Sequence, residues 1–566
     1  MNYSCSVLLQ LWKTEIVMAA LQNPPETLRT RKTFTKQEQH QDIAVLINAM
    51  KQCRRSKDLE KGRKIHAEAI ESGNISNIYV SNTLIDFYAK CGSMNEARSV
   101  FDKLQAREVV SWNTLVMGYV RNGQSDLGLD LFSAMLAEGC TPNGRTFVAA
   151  LKACLGLAEN EDGKKIDGKW MKARSLEQVM ALHVLAVNYG CELELFVASS
   201  LVDVYAKCGA LGDARRVFDR MKFRGVVSWT ALMLGYIESG ESEVAVKLFP
   251  GLLAQGCGTD ARALVAVLKA CTTAAAQEEG TKVGDGKVVK LVLLERGMAI
   301  HRKVLRSGTL DIFVLNTLVD LYASCGSMVD AQRVFDTMPR RDAVSWNVLM
   351  LGYVQNQEFS AALSVFSLMM QSRDSTPNYL TFVAGLKACG KLMVSETGRR
   401  VHAELCRHGL ENDAVLAASL VDFYGKSGRM VDAEVVFEAT VKRDVVTWTA
   451  LAVGYCRQGN TKQVLEIFHT MQEKGLQPDG IMFLSILTAC SHAGMVNEAK
   501  LLFEVMRSKY GVSPDIEHYH CMADLLGRAS QVDEAVDVVK TMPFRANVVT
   551  WTTVLGACRK LVFDLW

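Results

Sequence analysis

Apolar residues along this chain return at helical spacing in short blocks, each closed by a glycine and answered by a second block. From Ile78 onwards, Leu84, Ile85 and Tyr88 share one face of a predicted helix, Gly92 breaks it, and Met94, Ala97, Val100 and Phe101 form the facing stripe of the next. The pattern predicts an antiparallel helical hairpin. Prolines agree with it: Pro142, Pro377, Pro478 and Pro514 each stand one residue before the end of such a unit, where a helix must stop. Pro250, followed by Gly251, falls inside a predicted second helix. An interior proline costs about 3 kcal/mol, so a kink or a shortened helix is expected there.

The hairpin repeats. Trp112, Trp229, Trp346, Trp448 and Trp551 each lie in a segment reading VVSW, AVSW or VVTW, at spacings of 117, 117, 102 and 103. A second landmark, AKCG or ASCG around Cys91, Cys208 and Cys325, keeps the spacing of 117, and GKSG around Ser427 follows 102 later. Two unrelated landmarks on one beat indicate tandem duplication, the mark of an array in which each unit buries its apolar face against its neighbours. Within the period the chain divides into Ile78 to Glu108, Val109 to Asn143 and Gly144 to Glu194, units of 31, 35 and 51 residues, and starts again at Leu195. The reading places an extension at 1–42, about fourteen repeats over 43–547, and a broken motif at 548–566.

Composition narrows the possibilities. Hydrophobic residues at 49% and charged residues at 22% supply a packed core, which argues against disorder. The net charge of +3 lacks the strongly basic footprint of a nucleic-acid binder, so charge alone does not lead to RNA. No apolar run reaches the roughly 18 residues that span a bilayer, and no membrane partner is expected. Most of the sixteen cysteines sit at repeat-phased positions, among them Cys53, Cys154, Cys271, Cys389 and Cys490, and no CxxC pair occurs. They read as small core residues in a reducing compartment, neither a metal site nor a disulfide frame.

Units carrying VVSWNTLVMGYVRNG, LKAC and NTLIDFYAKCGSMNEARSVFDKL resemble the pentatricopeptide repeat family, in its plant-type subclass of alternating standard, long and short motifs. SILTACSHAGMVNEAKLLFEVM followed by IEHYHCMADLLGRA is similar to the terminal motif pair of that subclass. The resemblance implies an all-α, right-handed superhelical α-solenoid of tandem helix-turn-helix repeats that binds single-stranded RNA, one base per repeat, through the fifth and last residues of a unit. In standard units these are Asn113 with Asn143, Thr230 with Asp260, Asn347 with Asn378, and Thr449 with Asp479. In short units they are Asn82 with Glu108, Ser199 with Gly225, Asn316 with Asp342, and Ala418 with Asp444; Glu108, Gly225 and Ala418 depart from the family's pair pattern. The family pattern implies guanine for Thr with Asp, uracil for Asn with Asp, and a pyrimidine for Asn with Asn. Val110, Val227, Val344 and Val446 would sandwich the bases.

Helix capping is the alternative explanation, because Asn and Asp are good N-caps. The register favours reading: the fifth residue is polar in every standard unit and apolar in the long units, at Ile47, Val148, Val265, Val383 and Leu484.

Two long units carry inserts of about 16 and 17 residues, EDGKKIDGKWMK and EEGTKVGDGKVVK, between Cys154 and His183 and between Cys271 and His301. They are read as solvated loops, with lysine contacts to phosphate as the alternative. Many relatives in the subclass end in a zinc-dependent cytidine deaminase domain needing HxE followed by PCxxC. His66-Ala67-Glu68 and His402-Ala403-Glu404 match the first half alone and read as repeat-phased helix residues. The sequence stops at Trp566, partway through VVTWTTVLGAC and its continuation. The expectation is therefore a non-catalytic adaptor without cofactor or small-molecule substrate, acting in C-to-U editing with a deaminase supplied in trans. A truncated editing enzyme, a splicing or stability factor, and a protein-binding scaffold are the alternatives. Residues 1–42 have a weak transit-peptide composition, and the resemblance implies an organelle, the mitochondrion or else the chloroplast.

Overall fold

The computed structural model describes residues 36–555 apart from 167–168, 256–259, 284–286, 309–310, 373–374, 549 and 553–554. Most of the N-terminal extension and the end of the C-terminal motif therefore lie outside the described residues. Two compact units are formed, Met1–Glu278 with Arg296–Thr309, and Glu279–Glu295 with Leu310–Trp566. Each is an α-solenoid of helical hairpins.

In the first unit the leading helices of successive hairpins are Ile78–Lys90, Val109–Arg121, Gly144–Asn160, Leu195–Lys207, Val226–Glu238 and Ala261–Ala275. In the second they are Ile312–Ser324, Ala343–Gln355, Tyr379–Leu392, Ala414–Lys426, Val445–Arg457, Gly480–Ala493 and Ile516–Arg528. Within each unit every leading helix packs on the next, making one layer, and the second helices cover it. Close approach in that layer needs small residues: a Cβ on Gly352 would fall 2.6 Å from the Ala323 methyl, and one on Gly235 the same distance from Ala206. The stripe Leu84, Ile85, Tyr88, Met94, Ala97, Val100 and Phe101 is buried.

The tryptophan beat has a packing cause. Each of the first four rings meets edge-on a phenylalanine of the preceding short unit, with centroids 4.7 Å apart for Phe101 and Trp112, 4.7 Å for Phe218 and Trp229, 4.9 Å for Phe335 and Trp346, and 4.7 Å for Phe437 and Trp448. An arginine covers the phenylalanine each time, Arg107, Arg224, Arg341 and Arg443 at 5.0, 5.1, 4.7 and 4.9 Å. These clusters tie consecutive hairpins together. Of the repeat-phased cysteines, Cys53, Cys154, Cys208, Cys271, Cys325, Cys389 and Cys490 are buried and Cys91 is half-buried, and burial pushes the Cys154 and Cys208 thiols up to about 12 and those of Cys271, Cys389 and Cys490 to about 11. They are inert packing groups.

The helix containing Pro250, Ser242–Ala254, is not shortened: it has the 13 residues of its equivalents Ser125–Ala137 and Phe359–Gln371. Val246, Phe249 and Leu252 are buried on it, and their packing outweighs the one backbone bond that proline forfeits. Gly251 helps, since a Cβ there would stand 2.7 Å from the Trp229 ring.

The inserts correct the solvated-loop reading. Each is an antiparallel β-hairpin, Lys164–Ile166 with Lys169–Met171 and Thr281–Val283 with Lys287–Val289. Asp167-Gly168 in one and Gly284-Asp285-Gly286 in the other are the turn compositions that favour such pairing. Both dock on the glycine turn of the following short repeat. The Lys172 N–H donates to the Cys208 carbonyl at 3.1 Å, and the Lys290 N–H to the Cys325 carbonyl at 3.0 Å. Lys172 also donates its ammonium to the Ala158 carbonyl, and Glu161 accepts from the N–H groups of Arg174 and Ser175 at 3.0 and 2.9 Å, so insert-flanking residues hold two helix ends. Gly326 has φ of +84° and a Cβ on it would lie 2.3 Å from the Val288 carbonyl oxygen. Gly326→Ala should therefore cost about 1 to 2 kcal/mol and speed hydrogen exchange in Lys287–Val289; unchanged exchange would contradict the docking.

Candidate nucleic-acid interface

Each proposed pair is built from two helix starts. The last residue of a unit is the N-cap of the next leading helix, and its side-chain oxygen accepts from the first turn. Asn143 accepts from the Thr146 N–H at 3.1 Å, Asp260 from Ala263 at 2.8 Å, Asp342 from Ser345 at 2.8 Å, Asn378 from Thr381 at 3.3 Å, Asp444 from Thr447 at 2.9 Å and Asp479 from Met482 at 2.8 Å. Asn143, Asp342 and Asn378 make full capping boxes. Glu108 and Gly225 cap without a side-chain bond.

The fifth residue of the preceding leading helix reaches that same oxygen in four of the eight pairs. The amide of Asn113 donates to Asn143 at 3.3 Å, that of Asn316 to Asp342 at 3.4 Å, that of Asn347 to Asn378 at 2.8 Å, and the Thr449 hydroxyl to Asp479 at 3.3 Å. The other four are not joined. Thr230 and Ser199 give their hydroxyls to the carbonyls of Val226 and Leu195, at 2.8 and 2.6 Å. Ala418 has no polar group to offer Asp444. The buried Asn82 carbonyl oxygen has no partner, and Glu108 does not meet it.

Capping and reading are thus compatible, because one oxygen serves the helix while the other atom of the side chain stays available. Asp342 takes the bonds from Ser345 and Asn316 on Oδ1, leaving Oδ2; Asp479 takes those from Met482 and Thr449 on Oδ1. Asn378 and Asn143 likewise commit Oδ1, leaving the amide nitrogen. Asp therefore offers a free acceptor and Asn a free donor. Burial pushes the Asp342 carboxyl up, but hydrogen bonds from Ser345 and Asn316 outweigh it and hold the pKa below its ordinary value, so the group is a carboxylate at neutral pH. The fifth residues are enclosed, Asn347 at 2% and Thr449 at 4% exposure, whereas Asn143, Asp260 and Asp444 are exposed. In the four joined pairs the fifth residue thus fixes the orientation of the last one.

Beside these caps, Val110, Val227, Val344 and Val446 stand exposed at the second helical residue. Short units place larger side chains there, Tyr79, Phe196 and Phe313, all about 70% exposed. Sequence reading passed over them, although IYV, LFV and IFV put an aromatic in the register of the valines.

The HxE histidines have structural partners. His66 Nδ1 lies 2.9 Å from the Tyr88 hydroxyl and His402 Nδ1 2.8 Å from that of Tyr424, each joining a long unit to the next short one. Among the described residues no group of three or more His, Cys, Asp or Glu side chains could hold a metal ion. Burial lowers the pKa of both histidines. The unfolded chain therefore binds protons at a higher pH than the folded one, and this contribution to stability is complete above about pH 6.5 and declines as the pH falls below it. His66→Gln with His402→Gln should flatten the dependence of thermal midpoint on pH between about 5 and 7; an unaltered profile would assign it to other groups.

Comparison with known proteins places these features. The model of the PPR repeat family matches residues 107–156 and 443–492, and that of the PPR repeat matches 79–109, 196–226, 227–257, 313–342, 344–373 and 481–510. Pentatricopeptide repeat-containing protein At5g27110 of Arabidopsis thaliana is 34% identical over 88% of this chain and 67% of its own length. From the same plant, the protein At1g11290, named chloroplastic, is 33% identical over 90% of the chain and 59% of its own length, and At2g03380, named mitochondrial, is 32% identical over 97% and 75%. The solved pentatricopeptide repeat protein PPR10, in complex with an 18-nt psaJ RNA element, has a similar fold, with a TM-score of 0.51 at 17% identity over 92% of this chain and 84% of that one. With relatives above 30% identity across nearly the whole sequence, and family models matching segment after segment of the helical array, the chain belongs to the pentatricopeptide repeat family.

Proposed function

We propose that this protein is a sequence-specific single-stranded RNA adaptor of the standard, long and short motif subclass, acting in an organelle. It marks C-to-U editing sites for a deaminase supplied in trans. The observation that carries the reading is the set of four fifth-and-last residue bonds, each leaving one polar atom of a capped side chain uncommitted. A free carboxylate oxygen at Asp479 and Asp342 suits the N–H edge of guanine or uracil, and a free amide at Asn143 and Asn378 suits a base edge with an acceptor. In chain order the family pattern gives pyrimidine for Asn113 with Asn143, uracil for Asn316 with Asp342, pyrimidine for Asn347 with Asn378 and guanine for Thr449 with Asp479, and, for the unjoined Thr230 with Asp260 between the first two, guanine, with unread bases between. Exposed Val110, Val227, Val344 and Val446, and the rings of Tyr79, Phe196 and Phe313, supply stacking surface.

Support for RNA as the ligand also comes from the PPR10 complex, and support for an organelle from relatives named mitochondrial and chloroplastic. The mitochondrion is the proposed compartment. The test is selection of bound sequences from a random RNA pool, with editing and splicing scored in a null line. Recovery of the pyrimidine, guanine, uracil, pyrimidine, guanine spacing with loss of one editing event is expected. A splicing defect with editing intact would reassign the role, and no affinity for single-stranded RNA would sink it. This chain spans 59% to 75% of the relatives described above. An in-frame transcript continuing to HxE and PCxxC would make the natural protein the deaminase itself.

A further inference from the structure

In the first unit an open groove of about 570 Å³ runs between the second helices Ser242–Ala254 and Leu291–Ser307. Its floor is apolar, made by Val246, Phe249, Pro250, Leu253 and Ile300. Its rim is cationic. Arg296, Arg302, Lys303 and Arg306 line it from one helix whose single carboxylate is Glu295, and among the described residues none of the four cations forms an ion pair.

Local sequence opens this groove. Where the equivalent helices carry Ser133-Ala134, Ser367-Leu368 and His469-Thr470, this one carries Pro250-Gly251. Gly251 has no side chain because the Trp229 ring fills that space, and Pro250 supplies no N–H to the Val246 carbonyl. Unpaired cations at the edge of an apolar trough call for a ligand that is apolar on one face and anionic on its flanks. RNA fits poorly, since phosphates gain nothing from an aliphatic floor and the Phe249 ring is only 6% exposed, too enclosed to stack a base.

We propose that this groove docks an acidic amphipathic helix of a partner protein. Apolar residues at positions i, i+3, i+4 and i+7 of that helix would seat over Pro250, Leu253 and Ala299, the accessible part of the floor, and its flanking carboxylates would take forked hydrogen bonds from Arg302 and Arg306. None of the residues lining the groove belongs to the proposed base-reading pairs.

The test uses the full chain and a synthetic helical peptide with leucines in that spacing and glutamates on both flanks, followed by fluorescence anisotropy. Arg302→Glu with Arg306→Glu is expected to weaken peptide binding about tenfold or more, Arg302→Ala with Arg306→Ala less so, and neither to change affinity for a single-stranded RNA oligonucleotide. Circular dichroism verifies folding of each variant. Failure of the peptide to bind, or equal binding of a lysine-flanked or scrambled peptide, would overturn the proposal. Loss of RNA affinity in step with the charge reversals would overturn it as well, making the groove a phosphate contact.

Discussion

Trp346→Ala is expected to destabilise its part of the second unit by about 3 to 5 kcal/mol. Its ring is 6% exposed and stands edge-on to Phe335, over which Arg341 lies. Its indole N–H has no partner, so truncation breaks no hydrogen bond and the loss is one of packing. A solenoid is held by contacts between neighbours, and the damage should stay local. Hydrogen exchange should quicken in Met328–Asp336 and Ala343–Gln355 before it does in Ile516–Arg528. Trp346→Phe should recover part of the loss. A cost below about 1 kcal/mol would mean that the aromatic cluster is incidental to how hairpins join.

Asp479→Asn is expected to shift preference away from guanine at one nucleotide by about 1 to 3 kcal/mol while leaving the thermal midpoint nearly unchanged. Both side chains can accept from the Met482 N–H and the Thr449 hydroxyl with one oxygen. What changes is the second atom, from a carboxylate oxygen to an amide nitrogen. Asp479→Ala should instead lose the cap as well, at about 0.5 to 2 kcal/mol. Binding of RNA variants, read beside thermal unfolding, separates the two effects. Unaltered base preference in Asp479→Asn would leave the residue as a cap only.

Helix starts and buried faces were legible because duplication repeats the same information. The phase of Leu84, Ile85 and Tyr88 is confirmed by every later copy. The capping alternative was also visible in the sequence, but its compatibility with reading was not. That depends on which oxygen is spent on the helix, a matter of distances. Nor does spacing tell why Thr230 turns to Val226 while Thr449 turns to Asp479. The inserts were misjudged because their strands are three residues long, too short for period-two alternation to stand out, although Asp167-Gly168 was a usable turn signal. Pro250 does not shorten its helix: its cost is local, whereas the burial of Phe249 and Leu252 comes from other helices. Tyr79, Phe196 and Phe313 do not stand out in the sequence because the standard units carry valine in the same register.

The N-caps have an evolutionary consequence. Asp and Asn differ by a single nucleotide in their codons, hold a helix start almost equally well, and leave opposite polar atoms free. If these residues read bases as proposed, one point mutation would retarget a repeat to a different base without taxing the scaffold, a low-barrier route for following drift in a bound transcript.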